Sequence, residues 1–385
     1  MKKRKICAVI TARPTYSRVK TALQAIKEHP NLELQLVVAG SALLDRYGTA
    51  VNFIEKDGFT ISAKVFMVLE GENKTAMAKS TGLGVMELAN VFYNLQPDAV
   101  ITVADRFETI ATSIAAAYQN IPLIHLQGGE VTGNIDEKVR HANTKLADIH
   151  FVTSEDAKLR VEKMGEDPEY VYNTGCPSID IAAEVLKSPQ LDFNPIQKYG
   201  GVGSTIPFSG EYLVVMQHPV TTEYSQARED VQKTLRVIDA LQIPTYWFWP
   251  NVDAGADGTS NGIRSYREIH YPKYIHFFKN MEPVDFLKLL INSSCLIGNS
   301  SVGIRECSFL GVPVVNIGTR QNRRLRGENV LDVAYNEDDI KQAINTQLEN
   351  PKNTKSAIYG NGDSGKKIAD ILATVKLRYH KTISY

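Results

Sequence analysis

The chain has no net charge, few cysteines and no long apolar run. Its 385 residues include 43 basic and 43 acidic side chains, a balance without the basic footprint of a nucleic-acid-binding protein. No apolar stretch approaches the roughly 18 residues of a membrane span. The basic first residues lead into a strand, not into the apolar core of a signal peptide. These features predict a cytoplasmic protein without a nucleic-acid or membrane partner.

The sequence also has little of what metal and redox sites require. The four cysteines form no C-x-x-C pair, and we expect them to be small buried residues of a reduced protein. They are Cys7, Cys176, Cys295 and Cys307. An uninterrupted G-x-G-x-x-G is missing after the first strand, so the dinucleotide fingerprint is absent. We therefore expect no metal and no cofactor.

Short apolar runs alternate with helical patterns along both halves, which is typical of parallel α/β sheets. The length fits two domains of about 150–200 residues. We predict an α/β fold of two Rossmann-like domains facing a central cleft. Residues 1–175 would form the first domain, with catalytic carboxylates. Residues 176–364 would form the second, which binds the nucleotide, and 365–385 a helix that returns to the first. The first-half strands are predicted at Ile6–Thr11, Glu33–Ala39, Ala99–Val103, Leu123–Gln127 and Ile149–Thr153.

The most informative motif lies in the second half. A strand run stops at Gly298, and after Asn-Ser-Ser-Val-Gly a helical stretch runs from Ile304 to Leu310. Such a turn presents backbone N–H groups and the positive end of a helix to a phosphate. Small residues allow a diphosphate to approach, and Glu306 can reach sugar hydroxyls. The motif predicts a nucleotide-sugar site that includes Ser300, Ser301, Gly303 and Glu306.

Two polar clusters follow strands of the first half. Arg13 and Ser17 follow the first strand and can donate to phosphate or uracil, although a helix-capping turn would look similar. Asp105 and Arg106 end a later strand. Asp105 could act on a substrate proton while Arg106 meets a phosphate. An ion pair or a helix N-cap is the alternative.

A glycine-rich loop after another buried strand carries Gln127, Glu130 and Asp136. Glycines allow a loop to bring polar side chains into a site, so we predict catalytic roles for all three. The alternative is a surface loop in which Asp136 caps a helix.

Further candidates follow strands of the second half. His218 follows the first of them, and we favour a functional role over a core histidine because of its position at a strand end. Asn251 and Asp253 follow the next strand and could reach the base or the sugar.

The motifs, taken in order, resemble the hydrolysing UDP-N-acetylglucosamine 2-epimerases over residues 5–350. The family includes bacterial sialic-acid-pathway enzymes and the epimerase half of the animal bifunctional enzyme. The matching pieces are D-R-F, G-G-E-V-x-G-x-I-D, R-H-A-x-T-K-L-A, G-C-P-S, Q-H-P-V-T-T, P-N-x-D-A-G, G-N-S-S-x-G-x-R-E and G-T-R-Q.

The resemblance implies a fold like that of glycosyltransferase B and a homodimer or homotetramer. Asp105 and Asp136 would be catalytic carboxylates, with His218 near the leaving diphosphate. The residues implied in UDP binding are Arg13, Ser17, Arg106, His218, Asn251, Ser300, Ser301, Glu306 and Arg320.

The implied reaction eliminates UDP from C1 and the proton from C2, which leaves 2-acetamidoglucal. Water then adds at C1, and a proton returns to C2 from the opposite face. The products would be N-acetylmannosamine and UDP, for nonulosonic (sialic-type) acid synthesis.

Two departures from the family pattern leave alternatives open. Gln127 stands where a glutamate is common, and an amide cannot take or give a proton at neutral pH. Glu130 could replace that carboxylate, or Gln127 could orient a hydroxyl of a related sugar. Val103-Ala104 stands where His-Gly is frequent. The remaining alternatives are the same reaction on UDP- or GDP-linked diacetylbacillosamine, a glycosyltransferase, and a non-catalytic nucleotide-sugar binder.

Overall fold

The computed structural model describes residues 2–44, 50–70, 74–131, 135–207, 210–220, 224–250, 256–349 and 355–384. The chain divides into two compact units. Unit 1 comprises Met1–Asp180 and Tyr359–Tyr385, and unit 2 comprises Ile181–Ile358. Each is built on a seven-stranded sheet, which confirms the predicted α/β class. Within the described ranges, no helix is long and apolar enough to cross a membrane.

The sheet of unit 1 is entirely parallel, with strand order β3-β2-β1-β4-β5-β6-β7. Its central strands are buried, as expected of a sheet covered by helices on both faces. The strands are β1 (Arg4–Ile10), β2 (Leu32–Ala39), β3 (Ile61–Val65), β4 (Ala99–Val103), β5 (Leu123–Leu126), β6 (Ile149–Val152) and β7 (Val171–Asn173). The helices that follow are α1 (Arg13–Glu28), α2 (Ala50–Lys56), α3 (Lys74–Leu95), α4 (Thr109–Tyr118), α5 (Ile135–Leu146) and α6 (Glu155–Lys163). Helix α7 (Pro177–Val185) begins in unit 1 and ends in unit 2.

The sheet of unit 2 has strand order β14-β13-β12-β9-β10-β11-β8, and only β8 is antiparallel to its neighbour. Its strands are β8 (Val202–Gly203), β9 (Leu213–Met216), β10 (Thr245–Phe248), β11 (Ile275–Phe278), β12 (Cys295–Gly298), β13 (Val314–Ile317) and β14 (Val330–Val333). Its helices are α8 (Pro195–Tyr199), α9 (Ala227–Leu241), α10 (Ala256–His270), α11 (Pro283–Ile291), α12 (Ser301–Ile304), α13 (Glu306–Leu310) and α14 (Glu337–Glu349).

The last helix, α15 (Ser364–Thr374), packs on α1 in unit 1. Ile368 and Leu372 of this helix belong to the same apolar core as β1. The Asp180 carboxylate accepts hydrogen bonds from the backbone N–H groups of Ser364 and Gly365, at 2.8 and 2.7 Å, and from the Thr21 hydroxyl at 2.8 Å. These bonds explain why the division falls after Asp180, a few residues beyond the boundary expected at 175.

Lys381, near the end of the chain, anchors the C-terminal segment to α5. Its ammonium donates to the carbonyls of Lys145 and Ala147, at 2.8 and 2.6 Å, and cations are favoured at such a helix C-terminus. It also pairs at 2.6 Å with the buried carboxylate of Glu166. Burial alone would raise the pKa of Glu166, but hydrogen bonds from His150, Lys145 and Lys381 lower it to about 2.

We expect Asp180→Ala to lower the free energy of unfolding by about 2–4 kcal/mol, because two backbone N–H groups and a hydroxyl would lose their acceptor. Urea titration followed by circular dichroism measures the change. Asp370→Ala is the control, since Asp370 is an exposed residue of α15 paired with Lys366; its cost should stay within about 0.5 kcal/mol. Equal costs for the two variants would contradict the anchoring role of Asp180.

Candidate active site

Each sheet contains a switch point, where the connections that follow two adjacent strands lead in opposite directions across the sheet. In unit 1 it lies between β1 and β4, and in unit 2 between β9 and β12. Open α/β sheets bind ligands beyond the carboxyl ends of strands at such points. The predicted clusters at Arg13, Asp105, His218 and Ser300 follow these four strands, so each unit places its candidates where ligands are expected.

Asp105 and Arg106 do not form the ion pair that was the alternative to their functional roles. Asp105 forms an ion pair with Arg140, whose side chain is 2% exposed, whereas 17% of the Asp105 side chain remains exposed. Arg106 pairs instead with the buried Glu108 at 3.2 Å. Arg140 also donates to the Glu130 carbonyl oxygen at 2.8 Å. A buried guanidinium therefore fixes the Asp105 carboxylate and leaves part of it accessible.

The turn that leads from β4 to Asp105 is unusual. Ala104 has a φ of 58°, a left-handed conformation that costs a residue with a side chain about 1–2 kcal/mol. Its carbonyl oxygen accepts a hydrogen bond at 2.9 Å from Nε2 of His125, whose Nδ1 lies 3.0 Å from the Thr144 hydroxyl. Burial lowers the pKa of His125 to about 3, so this imidazole is a neutral structural donor.

The glycine-rich loop holds Gln127 in a polar pocket. Gln127 is 2% exposed and has a φ of 67°. Its Oε1 accepts from Arg18 at 3.2 Å, and its Nε2 donates to the Cys176 sulfur at 3.5 Å. The Glu130 carboxylate accepts from the Thr153 hydroxyl at 2.9 Å and is 8% exposed. Gln127 and Glu130 thus occupy separate, fixed positions in unit 1.

Helix α5 presents Asp136 and Arg140 one turn apart, and residues at i and i+4 share a helix face. Asp136 is partly exposed in the first turn. Arg13 and Ser17, also at i and i+4, open α1 after β1 and are partly exposed. The Arg13 guanidinium stacks 4.2 Å from the Phe53 ring centroid.

Asn299 organises the site of unit 2. Its Oδ1 accepts from the His218 backbone N–H at 2.7 Å, and its Nδ2 donates to the His218 carbonyl at 2.8 Å. Arg320 and Gln321 donate to the Asn299 carbonyl at 3.3 and 2.9 Å. The Asn299 side chain therefore joins the ends of β9 and β12, and its backbone carbonyl connects them to the loop after β13.

His218 is 3% exposed. Burial, and to a smaller extent the charge of Arg320, lowers its pKa to about 3. The imidazole is therefore neutral near pH 7 and is suited to donating a hydrogen bond. The predicted Asn251 and Asp253 lie outside the described residues.

Gly298 brings the glycine-rich turn close to β9. It has a φ of 131°, and an added Cβ would lie 2.1 Å from the Met216 carbonyl oxygen. The helix was predicted to begin at Ile304, but α12 begins at Ser301, and the helical backbone is interrupted at Arg305. The start was missed because Ser300, a helix-capping residue that accepts from the Val302 N–H, was considered only as a phosphate contact.

Ser301 and Glu306 both neighbour the buried Arg305. Arg305 donates to the Ser301 hydroxyl at 2.8 Å, and its Nε lies 4.0 Å from the Glu306 carboxylate. Glu306 is 6% exposed, and its Oε2 has no hydrogen-bond partner among the described residues. An added Cβ on Gly303 would lie 2.9 Å from a Val314 methyl group, so this glycine permits close packing of α12 on β13.

Comparison with known proteins decides the family. A family model described as UDP-N-acetylglucosamine 2-epimerase matches residues 24–373. The chain belongs to this epimerase family. It is 33% identical over 374 residues to a UDP-N,N'-diacetylbacillosamine 2-epimerase (hydrolyzing) of Legionella pneumophila, covering 97% of each chain. It is 31% identical to a GDP/UDP-N,N'-diacetylbacillosamine 2-epimerase (hydrolyzing) of Campylobacter jejuni, with 89% of this chain and 87% of the relative covered.

A solved structure agrees with the epimerase fold. The UDP-GlcNAc 2-epimerase of Neisseria meningitidis, bound to UDP-GlcNAc, superposes with a TM-score of 0.77 over 96% of this chain and 99% of that one. The sequence identity is 19%, so the likeness extends to the fold alone. It confirms the predicted family fold.

Sequence reasoning did not assign roles to Arg140, His125 or Asn299. Arg140 and Asn299 lie inside quoted family motifs, but their side chains act on neighbours far away in the sequence. A pattern of residue types does not specify such pairings. Among the described residues, no group of three or more His, Cys, Asp and Glu side chains could hold a metal ion.

The buried neutral histidines of this epimerase predict acid sensitivity. His125 titrates near pH 3 in the folded chain and near 6.5 when unfolded. The unfolded state binds more protons between these values, so stability falls as pH drops below about 6.5. Between pH 7 and pH 5, His125 should account for a loss of about 2 kcal/mol.

Urea titrations of His125→Gln at both pH values should therefore show a smaller loss than those of the wild type. His380→Gln removes an exposed histidine of the same unit and should preserve the wild-type slope. An unchanged slope in His125→Gln would contradict the assignment.

Proposed function

We propose that this epimerase is a hydrolysing 2-epimerase of a UDP-linked 2-acetamido sugar. The Asp105 carboxylate carries the proposal, because the Arg140 ion pair fixes it at a strand end while part of it stays accessible. In the reaction, the proton leaves C2, the C1–O bond electrons depart with UDP, and a C1=C2 bond forms. Water then adds at C1, and C2 receives a proton on the opposite face.

Unit 1 supplies the acid and base groups in this proposal. Asp105 and Asp136 act on the C2 proton and on the added water, as positioned carboxylates do in general acid–base catalysis. Gln127 has an orienting role for the sugar, because its amide cannot exchange a proton. Its contacts with Arg18 and Cys176 fix the amide in one position. Glu130, which Thr153 fixes, is the further carboxylate available for the role that Gln127 cannot perform.

Unit 2 holds the leaving group in this proposal. Ser300, Ser301 and the turn backbone contact the diphosphate, and Arg320 compensates its charge. The neutral His218 donates a hydrogen bond to the departing oxygen. Glu306 accepts from the ribose hydroxyls, in agreement with the unsatisfied Oε2 described above.

UDP-N-acetylglucosamine is the first substrate to test, with N-acetylmannosamine as the product for nonulosonic-acid synthesis. UDP-N,N'-diacetylbacillosamine is the second candidate, favoured by the names of relatives with 33% and 31% identity. NMR of reactions with each donor, and with the GDP-linked sugar, separates these candidates. We expect a free epimerised sugar and UDP. Binding of UDP without turnover of any donor would sink the proposal and support a non-catalytic binder.

We expect Asp105→Asn to lower kcat by about 10²–10⁴-fold, the usual contribution of a positioned acid or base. UDP affinity, measured by calorimetry, should be nearly unchanged, because the proposed UDP contacts lie mainly in unit 2. Asp370→Asn is the control, since Asp370 is exposed on α15 of the same unit and pairs with Lys366; it should retain full turnover. Loss of UDP binding together with turnover would instead indicate a structural role for Asp105.

Gln127→Glu tests the amide directly, and we expect it to lower kcat about tenfold or more. A carboxylate could accept from Arg18 but could not donate to Cys176, and it would place a charge at a position where the residue is only 2% exposed. Gln119→Glu is the matched control, because that amide donates to the Ala89 carbonyl of α3 at 2.9 Å. A steep rise in turnover would contradict the expectation and identify the natural protein as an attenuated family member.

A further inference from the structure

The backbone before Asp105 has an energetically unfavourable left-handed conformation, and a buried amide side chain helps to hold it there. None of the motifs described above points to this amide. Ala104 is left-handed, with a φ of 58°, and its carbonyl oxygen lies 3.3 Å from the Nδ2 atom of Asn143. Asn143 is fully buried in α5. A buried amide with its hydrogen bonds satisfied fixes the geometry of the groups that it contacts.

Asn143 also contacts the residues that follow Asp105. Its Nδ2 donates to the Thr109 hydroxyl at 2.8 Å, and that hydroxyl donates to the Arg106 carbonyl at 2.7 Å. The Ser113 hydroxyl, in turn, donates to the Asn143 Oδ1 at 2.7 Å. The Asn143 side chain therefore contacts the backbone immediately before Asp105 directly. It reaches the backbone immediately after Asp105 through the Thr109 hydroxyl.

The position of Asn143 on α5 links this turn to the partner of Asp105. Asp136, Arg140 and Asn143 stand at i, i+4 and i+7, one face of the helix. Arg140 holds the Asp105 carboxylate, and Asn143 holds its backbone. The same helix thus fixes both ends of the residue.

We propose that Asn143 is a positioning residue that keeps Ala104 left-handed and so directs the Asp105 carboxylate toward the reacting sugar. The inference rests on the proposed function for its catalytic consequence. The effect of Asn143 on the Ala104 backbone does not depend on the proposed function, because an alanine needs external contacts to stay left-handed and a glycine does not. Replacing Ala104 by glycine should therefore make Asn143 partly dispensable.

The first test is kinetic and uses Asn143→Leu, which has a similar shape but no polar atoms. We expect kcat to fall about tenfold, since displacing a reacting group by a fraction of an ångström has effects of this order. KM should stay nearly unchanged. The fall should be moderate because His125 still donates to the Ala104 carbonyl. Adding Ala104→Gly should restore most of the lost kcat.

Gln96→Gly is the matched control for this rescue. Gln96 is an exposed residue of unit 1 that also has a positive φ, of 46°, so glycine relieves similar strain there. If Asn143 acts by position, Gln96→Gly raises stability without restoring kcat. Equal rescue by both glycines, or an unchanged kcat in folded Asn143→Leu, overturns the proposal.

The second test measures unfolding and does not depend on turnover. The fall in urea midpoint caused by Asn143→Leu should be clearly smaller in the Ala104→Gly background than in the wild type. Equal falls overturn the inference, whereas an inactive wild type overturns only the proposed function. Asn143→Ser, which keeps one hydroxyl, replaces Asn143→Leu in both tests if the leucine variant does not fold.

Discussion

The buried guanidinium of Arg140 is the constraint on which the geometry of unit 1 depends. A charge with 2% exposure is tolerated in a protein interior only when it is paired and hydrogen-bonded. Its contacts include the Asp105 carboxylate and the Glu130 carbonyl, so the end of β4, the glycine-rich loop and α5 meet at this guanidinium. A displacement of Asp105 would remove a carboxylate that compensates the cation. The site residues of three separate segments therefore take their positions together.

Unit 2 obtains the same kind of order from a neutral group. The Asn299 amide meets both backbone groups of His218, and its own carbonyl accepts from Arg320 and Gln321. In the proposed function this place receives a diphosphate, and the neutral Asn299 amide suits it because a fixed carboxylate there would repel the anion. The charged group that organises unit 1, Arg140, then lies in the unit proposed to move protons, and Asn299 lies in the unit proposed to bind the diphosphate.

The sequence alone predicted the α/β class, the family and the strand ends that carry the candidates. Continuous apolar runs such as β4 are easily recognised, since every residue of β4 is buried. Edge strands were missed for the opposite reason. β3 alternates half-buried and exposed residues before the buried Val65, and no residue of β14 is fully buried, so neither resembles a parallel-sheet strand.

The pairings inside the site could not be predicted in the same way. An ion pair of Asp105 with Arg106, its neighbour in sequence, was only the alternative to a functional role, and a pair with Arg140, thirty-five positions later, was not foreseen. The left-handed backbone of Ala104 and Gln127 was equally hidden, because residues with side chains give no warning of a positive φ. Tertiary hydrogen bonds select these conformations, and they are known only when the fold is known.

The attachment of Lys381 to α5 has a practical consequence for experiments on this protein. The helix that carries Asp136, Arg140 and Asn143 ends in carbonyls that Lys381 satisfies, and the same ammonium compensates the buried Glu166. The backbone N–H of Ser384 continues the attachment by donating to the Gly165 carbonyl at 3.0 Å. A purification tag or truncation at this end would therefore disturb the C-terminal end of α5, the helix of the candidate Asp136 and of the residues that hold Asp105. An affinity tag belongs at the other terminus, where Lys2 and Lys3 are exposed.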